Sequence, residues 1–408
     1  MRILSGTLTV WCVSLLLLGV VVSGAAEVRE EALRYFSPEE ILRGRSYMGG
    51  RYLLFGVRSA VQLGFLLLLV FTPAGRLLQD LCADWSGDRP WLALTLYVAC
   101  LLVLFRLLLL PLDLYGGYVR EHAYDLATQR LGGWLLDWGK GLLLQMALLV
   151  PTVHVLYALI RRDPLRWFVP AAAVLGGLIV ALTFLAPILI DPLFHTFTPL
   201  SDPALKARVT RLAERAGFPV EQVLVADASR RTVKANAYVT GFGRTKRIVL
   251  YDTLLTGASP EEVEVVLAHE IGHRVHHHTW KGVGLSILAL LAGLGVAALV
   301  LRWGVTQRLL PHAADSAGLP LLVLTLFVLN LATLPVQNAI SRHFERQADR
   351  AALALSRSRE AYISMEVGLA RSNLADITPP GWAVFLLYTH PPVLERIAIA
   401  ETPPTHHP

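Results

Sequence analysis

Charge is scarce in this chain. Only 17% of its 408 residues are Asp, Glu, Lys or Arg, against 54% hydrophobic, and the mean hydropathy is +0.51. Soluble globular domains are nearer 25% charged and disordered chains are poor in apolar residues, so both classes are excluded. Composition points instead to a polytopic membrane protein. Lysine is scarcer still, at five of the 37 basic residues. The formal net charge of +6 is small for this length and scattered beside apolar runs, as in loops flanking membrane helices. A nucleic-acid partner is therefore not expected. Cysteine is almost absent: Cys12, Cys82 and Cys100 form no C-x-x-C pair and lie far from the histidine cluster. Neither a disulfide framework nor a thiolate zinc site follows. No fixed-period repeat is present.

What the chain does have is apolar length. Seven segments can each cross a bilayer core, at about 8–25, 56–75, 91–112, 141–160, 167–190, 283–302 and 318–337. The first also resembles a secretory signal, but Arg2 alone precedes it while Arg29, Arg34, Arg43, Arg45 and Arg51 follow. Positive residues favour the cytoplasmic face, so the segment reads as an uncleaved anchor. Alternation from there puts both the 191–282 stretch and the C-terminal tail in the cytoplasm. The expected organisation is a five-span membrane region (1–190), a first catalytic part (191–282), a transmembrane hairpin (283–337) and a second catalytic part (338–408).

The 191–282 stretch reads as a small mixed α+β unit. A helix is expected over 201–216, capped by Ser201 with Pro203 in its first turn. Strands are expected over 220–226, 235–240 and 247–251, the last two joined through Gly241-Phe242-Gly243. Ser259-Pro260-Glu261-Glu262 then opens a helix with a capping box.

That helix carries Leu267-Ala268-His269-Glu270-Ile271-Gly272-His273. Histidines at i and i+4 share a helix face and can reach one ion, while a carboxylate beside them can take a proton from water that the ion activates. Chance would supply such an H-E-x-x-H in roughly one or two chains per hundred of this composition. Its apolar flank argues for burial, where paired histidines need a partner. A catalytic zinc usually has a third protein ligand. Directly after the seventh segment, Glu345 and Asp349 in Asn338-Ala339-Ile340-Ser341-Arg342-His343-Phe344-Glu345-Arg346-Gln347-Ala348-Asp349 again lie i and i+4. Glu345 could ligate the ion, and Asp349 could orient a ligand histidine or carry a proton. Alone, that run is an amphipathic helix whose acids pair with its arginines; beside the first motif it reads as metal chemistry.

Together H-E-x-x-H and N-x-x-S-R-x-x-E-x-x-A-D resemble the signature of the type I CAAX prenyl proteases, integral-membrane zinc metallopeptidases. The likeness extends to the run from Ile190 to Leu200, to Asn236-Ala237-Tyr238 and the strand from Arg247 to Leu255, and to the region from Asp113 to Lys140. The resemblance implies about seven transmembrane helices around a chamber, plus a small gluzincin-like catalytic domain. It implies one Zn2+ per chain held by His269, His273 and Glu345, with Glu270 as general base and Asp349 as proton donor or positioning residue. It also implies that His390 and Arg396, around Pro391-Pro392, bind the substrate carbonyl and oxyanion. Asn236, Ala237 and Tyr238 would form an edge on which an extended peptide aligns. Arg106, His154, Asn330 and Gln337 would face the chamber or bond between helices.

The expected activity is zinc-dependent endopeptidase action on lipidated peptides or membrane proteins. The arginine bias and short loops suit a bacterial plasma membrane with the catalytic domain on the cytoplasmic side. The rival reading is a metal transporter using the same His/Glu cluster; transport would survive Glu270→Gln, whereas proteolysis would not.

Overall fold

The computed structural model describes residues 30–402 except 88 and 242–245. The first expected span and the tip of the expected hairpin thus lie outside the described residues. Among these, six helices are long and apolar enough to cross a membrane, and they coincide with the other six expected segments. In chain order the helices are α1 (Pro38–Phe71), α2 (Ala74–Trp85), α3 (Pro90–Leu114), α4 (Arg120–Ala123), α5 (Leu131–Arg162) and α6 (Phe168–Leu189). The mixed unit follows with β1 (Phe197–Pro199), α7 (Pro203–Arg215), β2 (Gln222–Ala226), β3 (Ala237–Thr240), β4 (Arg247–Tyr251), α8 (Asp252–Gly257) and α9 (Pro260–Val275). The chain ends with α10 (His278–Thr306), α11 (Leu319–Ser356), α12 (Arg359–Ser372), α13 (Gly381–Leu387) and α14 (Val393–Glu401).

The long helices are apolar on the outside. Leu136 and Leu143 of α5 and Leu288 and Leu299 of α10 are all more than 60% exposed, which suits lipid rather than water. Polar groups turn inward or find local partners. His154 hydrogen-bonds through Nε2 with the Trp91 carbonyl at 3.1 Å, from α5 to α3, and Gln337 donates to Thr333 at 2.8 Å along α11.

The sheet has the order β1-β2-β4-β3, with β2 and β4 parallel and the outer pairs antiparallel. This leaves β3 as an edge. Its core comes from β2, β4, α7, α9 and α12, including Val209, Leu212, Ile248, Leu250, Leu267 and Tyr362, all buried. The N-cap of α7 corrects one expectation. Asp202, not Ser201, accepts from the Ala204 and Leu205 amides at 2.8 and 3.1 Å, because its carboxylate can satisfy two unbonded donors of the first turn. The capping box of α9 forms as expected: Ser259 and Glu262 exchange hydrogen bonds of 2.7 and 3.2 Å.

One feature governs the site. α11 is a single helix of 38 residues, so the seventh span and the Glu345/Asp349 segment are continuous, and the expected boundary at 337/338 falls inside it. The same helix thus continues from the apolar span through Glu345 and packs along α9.

Candidate metal centre

α9 and α11 pack with a glycine at the crossing. A Cβ on Gly272 would come within 2.9 Å of the Ala351 Cβ and 3.1 Å of the Ala348 Cα and O, so the glycine of H-E-I-G-H lets the two helices close. That closure brings His269, His273 and Glu345 together. The two Nε2 atoms are 3.1 Å apart; His269 Nε2 is 3.2 Å from Glu345 Oε2, and His273 Nε2 is 3.4 Å from Glu345 Oε1. Donors bound tetrahedrally at about 2.0–2.1 Å stand about 3.3–3.4 Å from one another. The triangle therefore fits one such ion. Glu345 Oε2 is buried and, among the described residues, accepts no well-aligned hydrogen bond, as suits a ligand oxygen.

Each histidine is held from behind. His269 Nδ1 lies 2.9 Å from Asp349 Oδ1, which is fully buried. Arg396 donates to both Asp349 oxygens, at 3.0 Å from Nε and 2.5 Å from Nη2, and its Nη2 is 2.8 Å from the buried Glu366. His273 Nδ1 lies 2.9 Å from His278 Nδ1, and His278 Nε2 lies 2.8 Å from Gln347 Oε1. Were an ion held through Nε2, the His273 proton would sit on Nδ1 and be donated to His278, whose own Nε2–H would then be donated to the Gln347 amide oxygen. The ring of His278 is fixed by stacking on Phe344 at 4.4 Å. It is brought there because His277 takes a left-handed φ of 55°, turning the chain sharply between α9 and α10.

The electrostatics are asymmetric. Burial opposes a charge on His269, but the neighbouring Asp349 and Glu345 carboxylates outweigh it and raise its pKa to about 10. Burial and the charge of His269 pull His273 down to about 4. Before a metal binds, the pair therefore holds one proton near neutral pH. Burial raises the pKa of Glu270, a change that makes it a better proton acceptor. Burial also lifts Glu366, to about 7.

His390 stands at the rim, its Nε2 3.3 Å from Glu345 Oε2 and its side chain 59% exposed. Desolvation lowers its pKa, so it is neutral near pH 7 and can donate one N–H. Two α11 side chains hold the segment that presents it. Asn338 donates to the Leu386 carbonyl at 2.6 Å, and Arg342 to the carbonyls of Val384 and Tyr388 at 2.8 and 2.6 Å.

Known proteins resemble this chain along most of its length. A family model described as peptidase family M48 matches residues 199–403, and one described as CAAX prenyl protease N-terminal, five membrane helices, matches residues 20–196. The chain belongs to the CAAX prenyl protease branch of the M48 peptidases. An uncharacterized metalloprotease YhfN of Bacillus subtilis is 34% identical over 75% of this chain and 72% of its own length. A CAAX prenyl protease 1 homolog of Oryza sativa is 30% identical over 78% and 76%. The crystal structure of S. mikatae Ste24p superposes with a TM-score of 0.80 at 25% identity, covering 92% of this chain and 91% of that one. The protein is accordingly a multi-pass integral-membrane metalloprotease.

The fold brings His269, Glu270, His273, Glu345, Asp349, His390 and Arg396 into one neighbourhood, while Asn236 directly precedes β3 and Ala237 and Tyr238 lie on it. Sequence reasoning did not find His278, Gln347 or Glu366 in the supporting network, nor the roles of Asn338 and Arg342.

Proposed function

We propose that the protein is a zinc endopeptidase in which His269, His273 and Glu345 hold one ion and Glu270 is the general base. The donor triangle of 3.1–3.4 Å carries this reading. When bound there, zinc would acidify water and polarise a scissile carbonyl. Glu270 accepts the proton lost from the attacking water and returns it to the leaving amine. His390 donates its Nε2–H to the developing oxyanion. Asp349 orients His269, and Arg396, engaged by Asp349 and Glu366, holds Asp349 in place rather than meeting substrate.

An extended peptide would pair with β3 at Asn236, Ala237 and Tyr238. The Tyr251 amide donates to the Asn236 carbonyl, so strand alternation turns the backbone N–H and C=O of Ala237 and Val239 away from β4. Arg274 already donates to the Val239 carbonyl, which confines pairing to the stretch before it. Because α11 joins site and membrane, substrates would be lipidated peptides or membrane-protein segments, cut on the cytoplasmic face of a bacterial plasma membrane. The functional division would follow the two-part catalytic unit, 191–282 and 338–408, around the 283–337 hairpin.

The test uses purified wild type and Glu270→Gln in detergent, with a prenylated CAAX-type peptide and an unstructured membrane-protein segment as substrates. One zinc per chain in both proteins and cleavage by wild type alone is the expected result. Cleavage by Glu270→Gln at the wild-type rate would overturn it.

A further inference from the structure

Away from the metal, a cavity of about 890 Å³ lies among α1, α3 and α5. Its charges do not balance. Two of its carboxylates are already matched: Glu121 pairs with Lys234 at 2.7 Å, and Asp137 with Arg231 at 2.8 and 3.2 Å. The third, Asp113, is shared by two guanidinium groups, in close contact with Arg58 and 3.5 Å from Arg106. Arg51, also on the wall, accepts no carboxylate among the described residues and donates to the Tyr47 hydroxyl at 3.0 Å. Three guanidinium groups thus face one carboxylate, an excess of two positive charges.

This excess stands where it is costly. Arg58 and Arg106 belong to helices apolar enough to span a membrane, and Arg106 lies in the middle of α3. Charged side chains at such depth persist where a partner or a polar cavity compensates them. Arg106 and Trp138 both line the cavity, with the Arg106 guanidinium 5.2 Å from the centre of the Trp138 ring. Between these polar groups the wall is apolar, with Leu54, Phe55, Leu112 and Trp134.

We propose that this cavity is a binding site for the phosphate head of an anionic amphiphile, with the head among Arg51, Arg58 and Arg106 and the chain along Leu54, Phe55 and Leu112. A phosphate monoester suits the excess of two charges, and its several oxygens can accept from more than one guanidinium fork, which a single carboxylate cannot. The site is separate from the metal centre but connects to it. A second cavity of about 490 Å³ shares Arg51 and Phe55 with the first and is also lined by His390. An amphiphile seated here would border the route by which a membrane-derived chain approaches the metal.

The experiment is native mass spectrometry of the full-length, zinc-loaded protein in neutral detergent, titrated with phosphatidic acid, phosphatidylcholine of the same chains, or inorganic phosphate. Wild type should retain one phosphatidic acid per chain at least tenfold more strongly than phosphatidylcholine. Arg51→Gln should remove most of that preference, and Arg51→Lys should keep part of it. Arg106→Gln should act in the same direction; if it fails to fold, the Arg51 pair decides. Retention of inorganic phosphate without lipid, sensitive to Arg51→Gln, would support the anion site and assign it to the free ion. Equal retention of both lipids, retention unchanged in the arginine variants, or competition solely by peptides with a free C-terminal carboxylate would overturn the proposal. The readout requires no cleavage, so its failure leaves the peptidase reading standing.

Discussion

His269 and His273 lie one turn apart on the same helix, yet what stands behind each ring differs in charge, depth and chain origin. Behind His269 is a buried ionic chain, Asp349, Arg396 and Glu366, drawn from α11, α14 and α12. Behind His273 is a neutral relay, His278 and Gln347, drawn from α10 and α11. An ionic support is rigid but fails badly when one member is lost, because a buried charge is left alone. A neutral relay fixes the tautomer and, when cut, costs mainly metal affinity. The protein thus holds His269 through buried charge and His273 through neutral hydrogen bonds.

The largest expected effect breaks the ionic side. Arg396→Ala leaves Asp349 and Glu366 buried without a cation and should lower stability by about 3–5 kcal/mol, read as a fall in melting temperature in detergent. An unchanged melting temperature with a loss confined to turnover would instead place Arg396 on the substrate. Next comes the crossing that serves both sides. Gly272→Ala should cost about 1–3 kcal/mol and lower zinc content, since the new methyl pushes against Ala348 and Ala351.

Cutting the neutral side should separate affinity from stability. His278→Ala should weaken zinc binding by about 10- to 100-fold in chelator competition while the melting temperature of the zinc-free protein stays nearly constant. Gln347→Glu, which keeps an acceptor oxygen, should retain most of the affinity. The mildest test is pH. His269 is raised to about 10 and must lose its proton to ligate, whereas His273, at about 4, is already neutral. Zinc uptake at pH 8 should therefore release about one proton, and affinity should fall about tenfold per unit as pH drops from roughly 9 to 5. Calorimetry in buffers of different ionisation enthalpy measures this directly.

The contrast also explains what could be read from the chain. The proposed ligands are legible because His269 and His273, and likewise Glu345 and Asp349, sit at i and i+4 on one helix, a spacing that sequence displays. Six of the apolar spans, the Ser259 capping box and the β3–β4 pairing are legible for the same reason: their cause is local. Glu366, Gln347 and the hold of Asn338 and Arg342 on the His390 segment were not, since each depends on where distant helices cross. Their spacings, such as 30 residues between Arg396 and Glu366, carry no periodic signal. Asp202 rather than Ser201 caps α7 because its carboxylate reaches two amides of the first turn, an advantage seen only once the backbone is placed. The cavity arginines were visible singly, and Arg106 was expected to face inward. Their excess over Asp113 needed the packing of α1 against α3.

Zinc K-edge X-ray absorption on the purified, zinc-loaded protein tests the central claim most directly. The account predicts two imidazole nitrogens and carboxylate oxygen at about 2.0–2.2 Å in a low-coordinate shell, with one imidazole contribution lost in His273→Ala. A shell unchanged in His273→Ala, or one containing no imidazole, would contradict it.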